Sequence, residues 1–377
     1  MHAPLTPGKF SFAKACAAAG IGRRHLLLCA LAIASCWTLL FALNRPFASL
    51  EYPNYNDHLR HLRYAWEFTH HGFSIYALKM RELARLGEPD AYIWQQYSEQ
   101  YPPGTVLWHL PLAALVYTNV LSARAACFIL LAIYLALACA VILLWRQRLK
   151  QLEIEPALSA IFLFAYGVVL VFWTYNGQLE PLVLLPAGCA ALTARPRPRL
   201  LLLSLALFLK FQALLWLPVL LAAGWQTVQS SPRKALRDWL CWVSALLLLI
   251  SGATFLYLRQ TGNFTFPEMS NPVSFRRFGV YQEAGVTCAF AVLCAAYCLW
   301  KKLFVAAGWI AWTWLTIASI ENLEHRFLLF LAVVPLFARE RREASMLILW
   351  SVGFLYFARW LPDGYALGHT FWQVLRG

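Results

Sequence analysis

Residues 51–68, EYPNYNDHLRHLRYAWEF, open the longest hydrophilic segment of the chain, which closes at the turn YPPG of residues 101–104. The opening gathers acids, bases and aromatic side chains into one stretch that has the pattern of a helix. Asn54 or Asn56 can cap this helix, which is predicted to run to about Thr69. Because the flanking segments are apolar and place no structural demand for such a loop, we interpret it as the place of the chemistry.

The composition of the rest of the chain is that of a helical membrane protein. Of its 377 residues, 60% are hydrophobic and only 13% are charged, whereas a soluble domain carries about a quarter charged residues. The mean hydropathy is +0.56, and apolar runs of span length recur between residues 26 and 358. The predicted fold class is an all-α polytopic membrane protein, one membrane domain comprising residues 1–377.

The net charge of +14 is distributed in clusters at the ends of apolar runs. The clusters lie at residues 23–24, 146–150, 195–199, 233–237, 301–302 and 339–342. This distribution is typical of cytoplasmic loops and of attraction to anionic membrane lipids, so no nucleic-acid partner is predicted. The ten cysteines lie in or beside apolar runs and imply no disulfide framework.

The apolar runs predict about eleven crossings. A cytoplasmic segment (residues 1–24) precedes the first span (residues 25–43), which is interpreted as an anchor although Cys36 follows a lipoprotein-like cleavage box. Residues 44–104 then form the first extracytoplasmic loop. Residues 105–118 are too short for a span and predict a re-entrant or interfacial helix. The remaining predicted segments are spans at 123–145, 157–174 and 179–194, a hairpin at 200–225 with Lys210 in its outer tip, and spans at 239–258, 284–300, 303–318, 327–338 and 344–357.

Polar residues within these apolar segments mark a candidate site on the outer face, because such residues are costly unless they line a wet cavity. Lys210 needs a cavity or a counter-charge such as an anionic ligand. His325 and Arg326, with Glu324, can bind a phosphate or can anchor a span by snorkelling. Amides and an acid near the start of one span can bind sugar hydroxyls or serve helix packing. These are Asn176, Gln178 and Glu180.

On the loop helix, which Gly72 can end, Asp57, His61 and Tyr64 share one face. A carboxylate beside an imidazole is suited to accept a proton from a hydroxyl nucleophile. An ordinary interfacial helix with solvated charges is the alternative. A second, apolar stripe that could rest on the bilayer interface comprises Leu59, Leu62 and Trp66.

Histidines near Asp57 leave a metal site open as a further alternative. The residues concerned are His58, His61, His70 and His71. A divalent cation held loosely between Asp57 and a substrate phosphate is another form of this alternative. No cofactor and no fixed metal ligand is predicted.

One span, a long outer loop opening with YNDHLRHLRYA, and the YPPG turn before the next apolar segment resemble the GT-C glycosyltransferases. The segments YNGQ (175–178), LKFQ (209–212) and EHRF (324–327) resemble later landmarks of mannosyltransferase-like members. The resemblance implies a bundle of about eleven transmembrane helices with interfacial helices in the first outer loop. It also implies an enzyme of the inner or plasma membrane, or of the ER membrane in a eukaryote, with an extracytoplasmic active site.

The resemblance further implies that Asp57 is the catalytic base, with Glu51 as a weaker second candidate, and that transfer inverts the sugar. The donor would be a polyprenyl-phosphate hexose or pentose and the acceptor a lipid or glycan. Cations near the leaving phosphate would stabilise its developing charge, a role assigned to Lys210, His325 and Arg326. The predicted substrate-binding residues are Glu51, His58, His61, Asn176, Gln178, Lys210, Gln212, Glu324, His325 and Arg326.

Two other classes of protein remain open. A transporter or flippase for a lipid-linked or anionic solute would also need Lys210 and a broken hairpin, and it predicts paired broken helices in two halves. A non-catalytic subunit of a cell-envelope complex predicts no acid-dependent activity.

Overall fold

The computed structural model describes residues 57–76, 101–175, 178–230, 232–260, 280–318 and 326–355. The chain divides into two compact units, Met1–Ser49 and Leu50–Gly377, and every described residue belongs to the second. The predicted cytoplasmic segment and first span therefore lie outside the described residues.

All regular secondary structure within the described ranges is helical. The α-helices of these ranges, numbered in chain order, are α1 (Asp57–His71), α2 (Pro103–Tyr117), α3 (Ala123–Gln151), α4 (Pro156–Tyr175), α5 (Glu180–Leu192), α6 (Pro196–Leu209), α7 (Leu217–Ser230), α8 (Pro232–Arg237), α9 (Trp239–Gln260), α10 (Val280–Trp300), α11 (Phe304–Ala318), α12 (Arg326–Leu331) and α13 (Arg341–Leu355). Short 3-10 helices cover Gly72–Tyr76, Phe211–Trp216 and Val334–Phe337.

Local sequence explains several helix boundaries. Proline lies in the first turn of α2, α5 and α6, where its missing N–H costs no hydrogen bond. The Ser122 hydroxyl caps α3 by accepting a hydrogen bond from the Ala125 amide at 3.2 Å. Helix α1 confirms the helix predicted from the opening stretch and ends at Gly72, whose φ of 54° suits a residue without a side chain.

Three segments among the described residues are long and apolar enough to cross a membrane: Ala123–Gln151, Phe211–Ser230 and Trp239–Leu258. Shorter apolar helices are Pro156–Val171, Glu180–Leu192, Cys288–Trp300 and Phe304–Thr316. The structure thus has the helical, membrane-like character predicted from the composition. The number of about eleven crossings stays a prediction.

The helices that position the candidate site pack in a connected set. Helix α6 packs on α5 and α9, α3 packs on α4 and α5, and α1 packs on α2. The break predicted within residues 200–225 is present, because α6 and α7 contact each other across a break at Lys210, and the outer position of its tip stays a prediction. The tip of this hairpin is buried inside the protein, with Lys210 only 1% exposed.

The span predicted at residues 327–338 is wrong as a single helix. The segment forms the six-residue α12, a turn, and the 3-10 helix Val334–Phe337. Pro335 cannot donate to a continuous helical ladder, and the side chains from Leu329 to Val334 are fully buried. Because the segment is enclosed by protein, it has no need to present an unbroken helix to lipid.

Tryptophan indoles donate hydrogen bonds to backbone carbonyls in the two broken segments, the one after Lys210 and the one at residues 326–338. The Trp216 indole donates to the Phe330 carbonyl at 3.1 Å, and its ring stacks on that of Phe330 at 5.1 Å. The Trp312 indole donates to the Leu215 carbonyl at 2.9 Å. The Phe330 carbonyl also accepts from the Val333 amide at 3.3 Å. The two indole bonds therefore join the 3-10 helix Phe211–Trp216 to α11 and α12.

Two arginines of the predicted cytoplasmic clusters also cap helix ends. Arg148 donates to the carbonyls of Leu336 (2.9 Å) and Ala338 (3.0 Å), at the end of the 3-10 helix Val334–Phe337. Arg199 donates to the carbonyls of Ala190 and Thr193 at the end of α5. Cationic donors are favourable at the carbonyl end of a helix, so these arginines contribute to folding as well as to charge.

One residue of the apolar stripe of α1, Leu62, faces protein rather than the bilayer interface. Leu62 is 1% exposed, and the Trp66 ring stacks on that of Tyr117 in α2 at 5.3 Å. The side chain of Leu59 lies outside the described residues. The interfacial placement is thus wrong for Leu62, which is buried in protein. Trp66 is half-buried, and its placement at the bilayer interface stays a prediction.

Candidate functional site

Helix α1 buries polar side chains between α2 and α3. His58 and His61 are both almost fully buried. The His61 imidazole stacks on that of His109 in α2, with ring centroids 4.8 Å apart, and meets the Tyr101 ring edge-on at 4.9 Å. The His58 ring lies 5.5 Å from the Tyr134 ring of α3. The first turns of α1 therefore contribute to a group of packed polar side chains, called the polar cluster below. Its members are His58, His61, Tyr101, Thr105, His109, Tyr134, Glu180 and Lys210.

His109 and Tyr134 form the best-defined pair of this cluster. The His109 Nδ1 atom lies 2.7 Å from the Thr105 carbonyl oxygen, and the Tyr134 hydroxyl lies 2.6 Å from His109 Nε2. A carbonyl oxygen only accepts, so Nδ1 carries the hydrogen and Nε2 accepts from the Tyr134 hydroxyl. This pairing fixes the imidazole tautomer and satisfies both ring nitrogens without a charge.

Lys210, at the break of the hairpin, has a protein counter-charge. Its ammonium lies 2.6 Å from Glu180 Oε1, and the two side chains are 1% and 0% exposed. The same ammonium lies over the ring faces of Tyr101 (5.4 Å) and Phe330 (6.0 Å). The sequence predicted a cavity or a counter-charge such as an anionic ligand, and the structure supplies the carboxylate of Glu180.

The YPPG turn places α2 directly against the break at Lys210. The Thr105 hydroxyl donates to the Leu209 carbonyl, the last residue of α6. Gly104 packs so closely on α6 that a Cβ atom there would lie 2.5 Å from the Phe208 carbonyl oxygen. Because Tyr101 precedes these contacts by a few residues, the turn brings its ring to both His61 and Lys210.

The structure brings together three of the predicted substrate-binding residues, His58, His61 and Lys210, through the bridging rings of the cluster. Gln178 is buried just before α5, and Gln212 is half-buried in the 3-10 helix that follows Lys210. Asp57 is the first residue of α1 and Arg326 the first of α12, while both side chains lie outside the described part. Glu51, Asn176, Glu324 and His325 also lie outside the described residues.

Four cluster members were not among the predicted site residues: Tyr101, Thr105, His109 and Tyr134. Glu180 was named from the sequence as able to bind sugar hydroxyls or to serve helix packing. His109 and Glu180 had a signal, since each is a polar residue in an apolar segment. Thr105 had none, because threonine hydroxyls in helices usually bond to their own backbone. Tyr134 had none, because tyrosine is common in membrane proteins and its partner, His109, is 25 positions away.

The four histidines of the metal alternative do not converge. His58 and His61 are buried, whereas His70 and His71 are exposed at the other end of α1. His71 lies 3.6 Å from the Glu67 carboxylate, which Arg63 also contacts at 2.7 Å. Within the described ranges, no group of three His, Cys, Asp or Glu side chains is arranged to hold a metal ion.

An apolar groove of about 500 Å³ adjoins the end of α1. Phe73 and Ser74 line it from the 3-10 helix after α1, and the α9 residues Ile250, Ala253, Thr254 and Tyr257 line the opposite wall. Helix α9 packs on α6, the helix that ends beside Lys210. The groove therefore belongs to the same group of helices as the polar cluster.

No family model, curated protein or solved structure matches this chain. The functional interpretation therefore depends on the cluster itself. It offers a carboxylate and an ammonium, a neutral imidazole–phenol pair, and two further imidazoles, all shielded from bulk water. Such an arrangement can bind a polar group strongly, because hydrogen bonds to charged partners strengthen where water is excluded.

Proposed function

We propose that this chain is a polytopic membrane glycosyltransferase of the GT-C type. It transfers a hexose or pentose, with inversion, from a polyprenyl-phosphate donor to a lipid or glycan acceptor on the extracytoplasmic side. In this proposal Asp57 removes the proton from the acceptor hydroxyl as that oxygen attacks the anomeric carbon, and the lipid phosphate leaves from the opposite face. The phosphosugar bond supplies the free energy of the transfer.

The observation that carries this proposal is the position of α1. The helix begins at Asp57, and its next residue, His58, is buried against Tyr134 in the cluster that also holds the Glu180–Lys210 pair. A base at the first position of this helix would stand at the edge of a polar, water-shielded site. The apolar groove beside α9 gives the lipid chain of a substrate a surface of matching polarity.

The test is transfer of radiolabelled sugar from polyprenyl-phosphate donors in membranes that contain the wild type or Asp57→Asn. We expect transfer by the wild type and a rate about a hundredfold lower in the variant, because asparagine cannot accept the proton. Equal transfer by both would remove Asp57 as the base.

The matched control for this experiment is Glu155→Gln, which also removes one carboxylate charge. Glu155 is exposed in the turn before α4, whereas the cluster residues His58, Glu180 and Lys210 are buried. Its variant is expected to transfer sugar at the wild-type rate. An equal loss in both variants would mean that the loss follows from net charge rather than from Asp57.

A transporter is the second candidate, favoured by one observation. The broken segment at Lys210 packs on the second broken segment, α12, and a buried ion pair lies beside them. Discontinuous helices around a charged pair are common in transporters. Accumulation of a lipid-linked or anionic solute in sealed proteoliposomes, without any glycosylated product, would favour this candidate over the transferase.

A further inference from the structure

We infer that the Glu180–Lys210 pair is a recognition site for a sugar hydroxyl and does not bind the phosphate of the substrate. The inference rests on the proposed function for the identity of the ligand. It reverses the role that the resemblance implied for Lys210, and of the two roles that the sequence left open for Glu180, sugar binding and helix packing, it selects sugar binding.

The pair has unused hydrogen-bonding capacity on both partners. Lys210 donates to Glu180 Oε1, while Glu180 Oε2 is buried and has no hydrogen-bond partner among the described residues. An ammonium has three N–H donors, and the ring faces of Tyr101 and Phe330 attract the Lys210 charge without accepting a conventional hydrogen bond. The pair therefore offers one acceptor atom and further donors side by side.

This combination selects a hydroxyl over a phosphate. A hydroxyl donates to Oε2 and accepts from the ammonium at the same time, so it satisfies both partners. A phosphate oxygen has no hydrogen to donate to Oε2, and its charge is repelled by the carboxylate at short range. Because Glu180 already balances the charge of Lys210, the pair has no net attraction for an anion.

The surrounding geometry agrees with a polar but neutral ligand. The His109–Tyr134 pair is neutral in the tautomer that its partners select, and it lies in the same cluster. The His61 imidazole and the Tyr101 ring add hydrogen-bonding and aromatic surface rather than fixed positive charge. The phosphate is then left to groups outside this cluster, among them the predicted His325 and Arg326.

The test is saturation-transfer NMR on the full chain in lipid nanodiscs, with probes that share one reporter methyl group. The probes are methyl α-mannopyranoside, methyl β-arabinofuranoside and methyl phosphate. We compare the wild type with Glu180→Gln, whose amide oxygen can still accept from Lys210 while its NH2 group replaces the acceptor Oε2 by a donor. Glycoside affinity is expected to fall about tenfold or more, as for loss of a hydrogen bond to a charged group. Affinity for methyl phosphate is expected to stay equal or to rise.

The matched control is Glu343→Gln. Glu343 is another buried glutamate with one oxygen bonded, to the Arg339 amide, and the other without a partner in the described part of the chain. No described lysine forms an ion pair with it, so its variant is expected to leave glycoside binding unchanged. The variant Lys210→Met/Glu180→Met removes the pair without leaving a buried charge, and it is expected to lose glycoside binding as well.

Three results would overturn the inference. The first is a wild-type protein that binds neither glycoside. The second is a glycoside affinity that is the same in Glu180→Gln as in the wild type. The third is an affinity for methyl phosphate that depends on Lys210 while the affinity for the glycosides does not. The sugar-transfer assay is a separate measurement. Glycoside binding that depends on Glu180, without any sugar transfer, would refute the proposed transferase and support the inference. Sugar transfer that depends on Asp57, with glycoside binding unchanged in Glu180→Gln, would support the transferase and refute the inference.

Discussion

Replacing Lys210 with methionine is expected to lower the free energy of unfolding by roughly 3–5 kcal/mol, the usual cost of removing one partner of a buried ion pair. Glu180 is fully buried, and Lys210 is its charged partner at 2.6 Å. After the substitution, the carboxylate would stay inside the bundle with neither water nor a counter-charge. Denaturant unfolding of the purified protein in detergent measures this loss.

The control that isolates the charge is the double variant Lys210→Met/Glu180→Met. Replacing both partners by apolar side chains of similar size is often neutral or stabilising, so the double variant is expected to unfold close to the wild type. Lys301, which is exposed over the Trp300 ring, serves as a surface control in Lys301→Met and is expected to change little. A double variant as unstable as Lys210→Met would show that Lys210 contributes through packing rather than through the pair.

Replacing Gly104 with alanine is expected to lower the free energy of unfolding by about 3 kcal/mol, at the upper end for an overpacked contact. The new Cβ would lie 2.5 Å from the Phe208 carbonyl oxygen and 2.9 Å from its carbonyl carbon. These are backbone atoms of α6, so relief requires α2 and α6 to separate. The separation would also break the bond from the Thr105 hydroxyl to the Leu209 carbonyl.

Gly252→Ala provides the matched control for this contact. Gly252 lies within α9, and nothing lies within 4 Å of the position that its Cβ would occupy. Alanine there is expected to be neutral or to stabilise by about 0.5–1 kcal/mol, because it lowers the entropy cost of the helix. Equal stability of Gly104→Ala and Gly252→Ala in denaturant unfolding would contradict the close approach of α2 to α6.

The sequence was sufficient to predict those features that depend on neighbouring residues. The helix that opens the polar loop, the short helix after YPPG and the break at Lys210 all follow from periodicity, turn residues and one charge in an apolar run. Glu180 as the partner of Lys210 did not follow, because 30 positions separate them and only the packing of α5 on α6 brings them together.

The two predictions that were wrong, a single-helix span at residues 327–338 and an interfacial position for Leu62, have the same physical origin. Residues 327–338 are apolar enough for a span, yet Pro335 and enclosure by neighbouring helices make them a broken, buried segment. Leu62 has the position of an interfacial stripe residue, but it is buried in protein. Hydropathy reports that a side chain avoids water, and it does not distinguish lipid from protein as the alternative.

The most direct measurement of the central claim is sugar transfer by the double variant Lys210→Met/Glu180→Met, in membranes where its folded amount equals that of the wild type. If the buried cluster is the site of the reaction, transfer is expected to fall about tenfold or more although the protein is stable, because the contact to the charged pair is lost. Transfer at the wild-type rate by this stable variant would show that the pair only supports the fold and that the reaction takes place elsewhere.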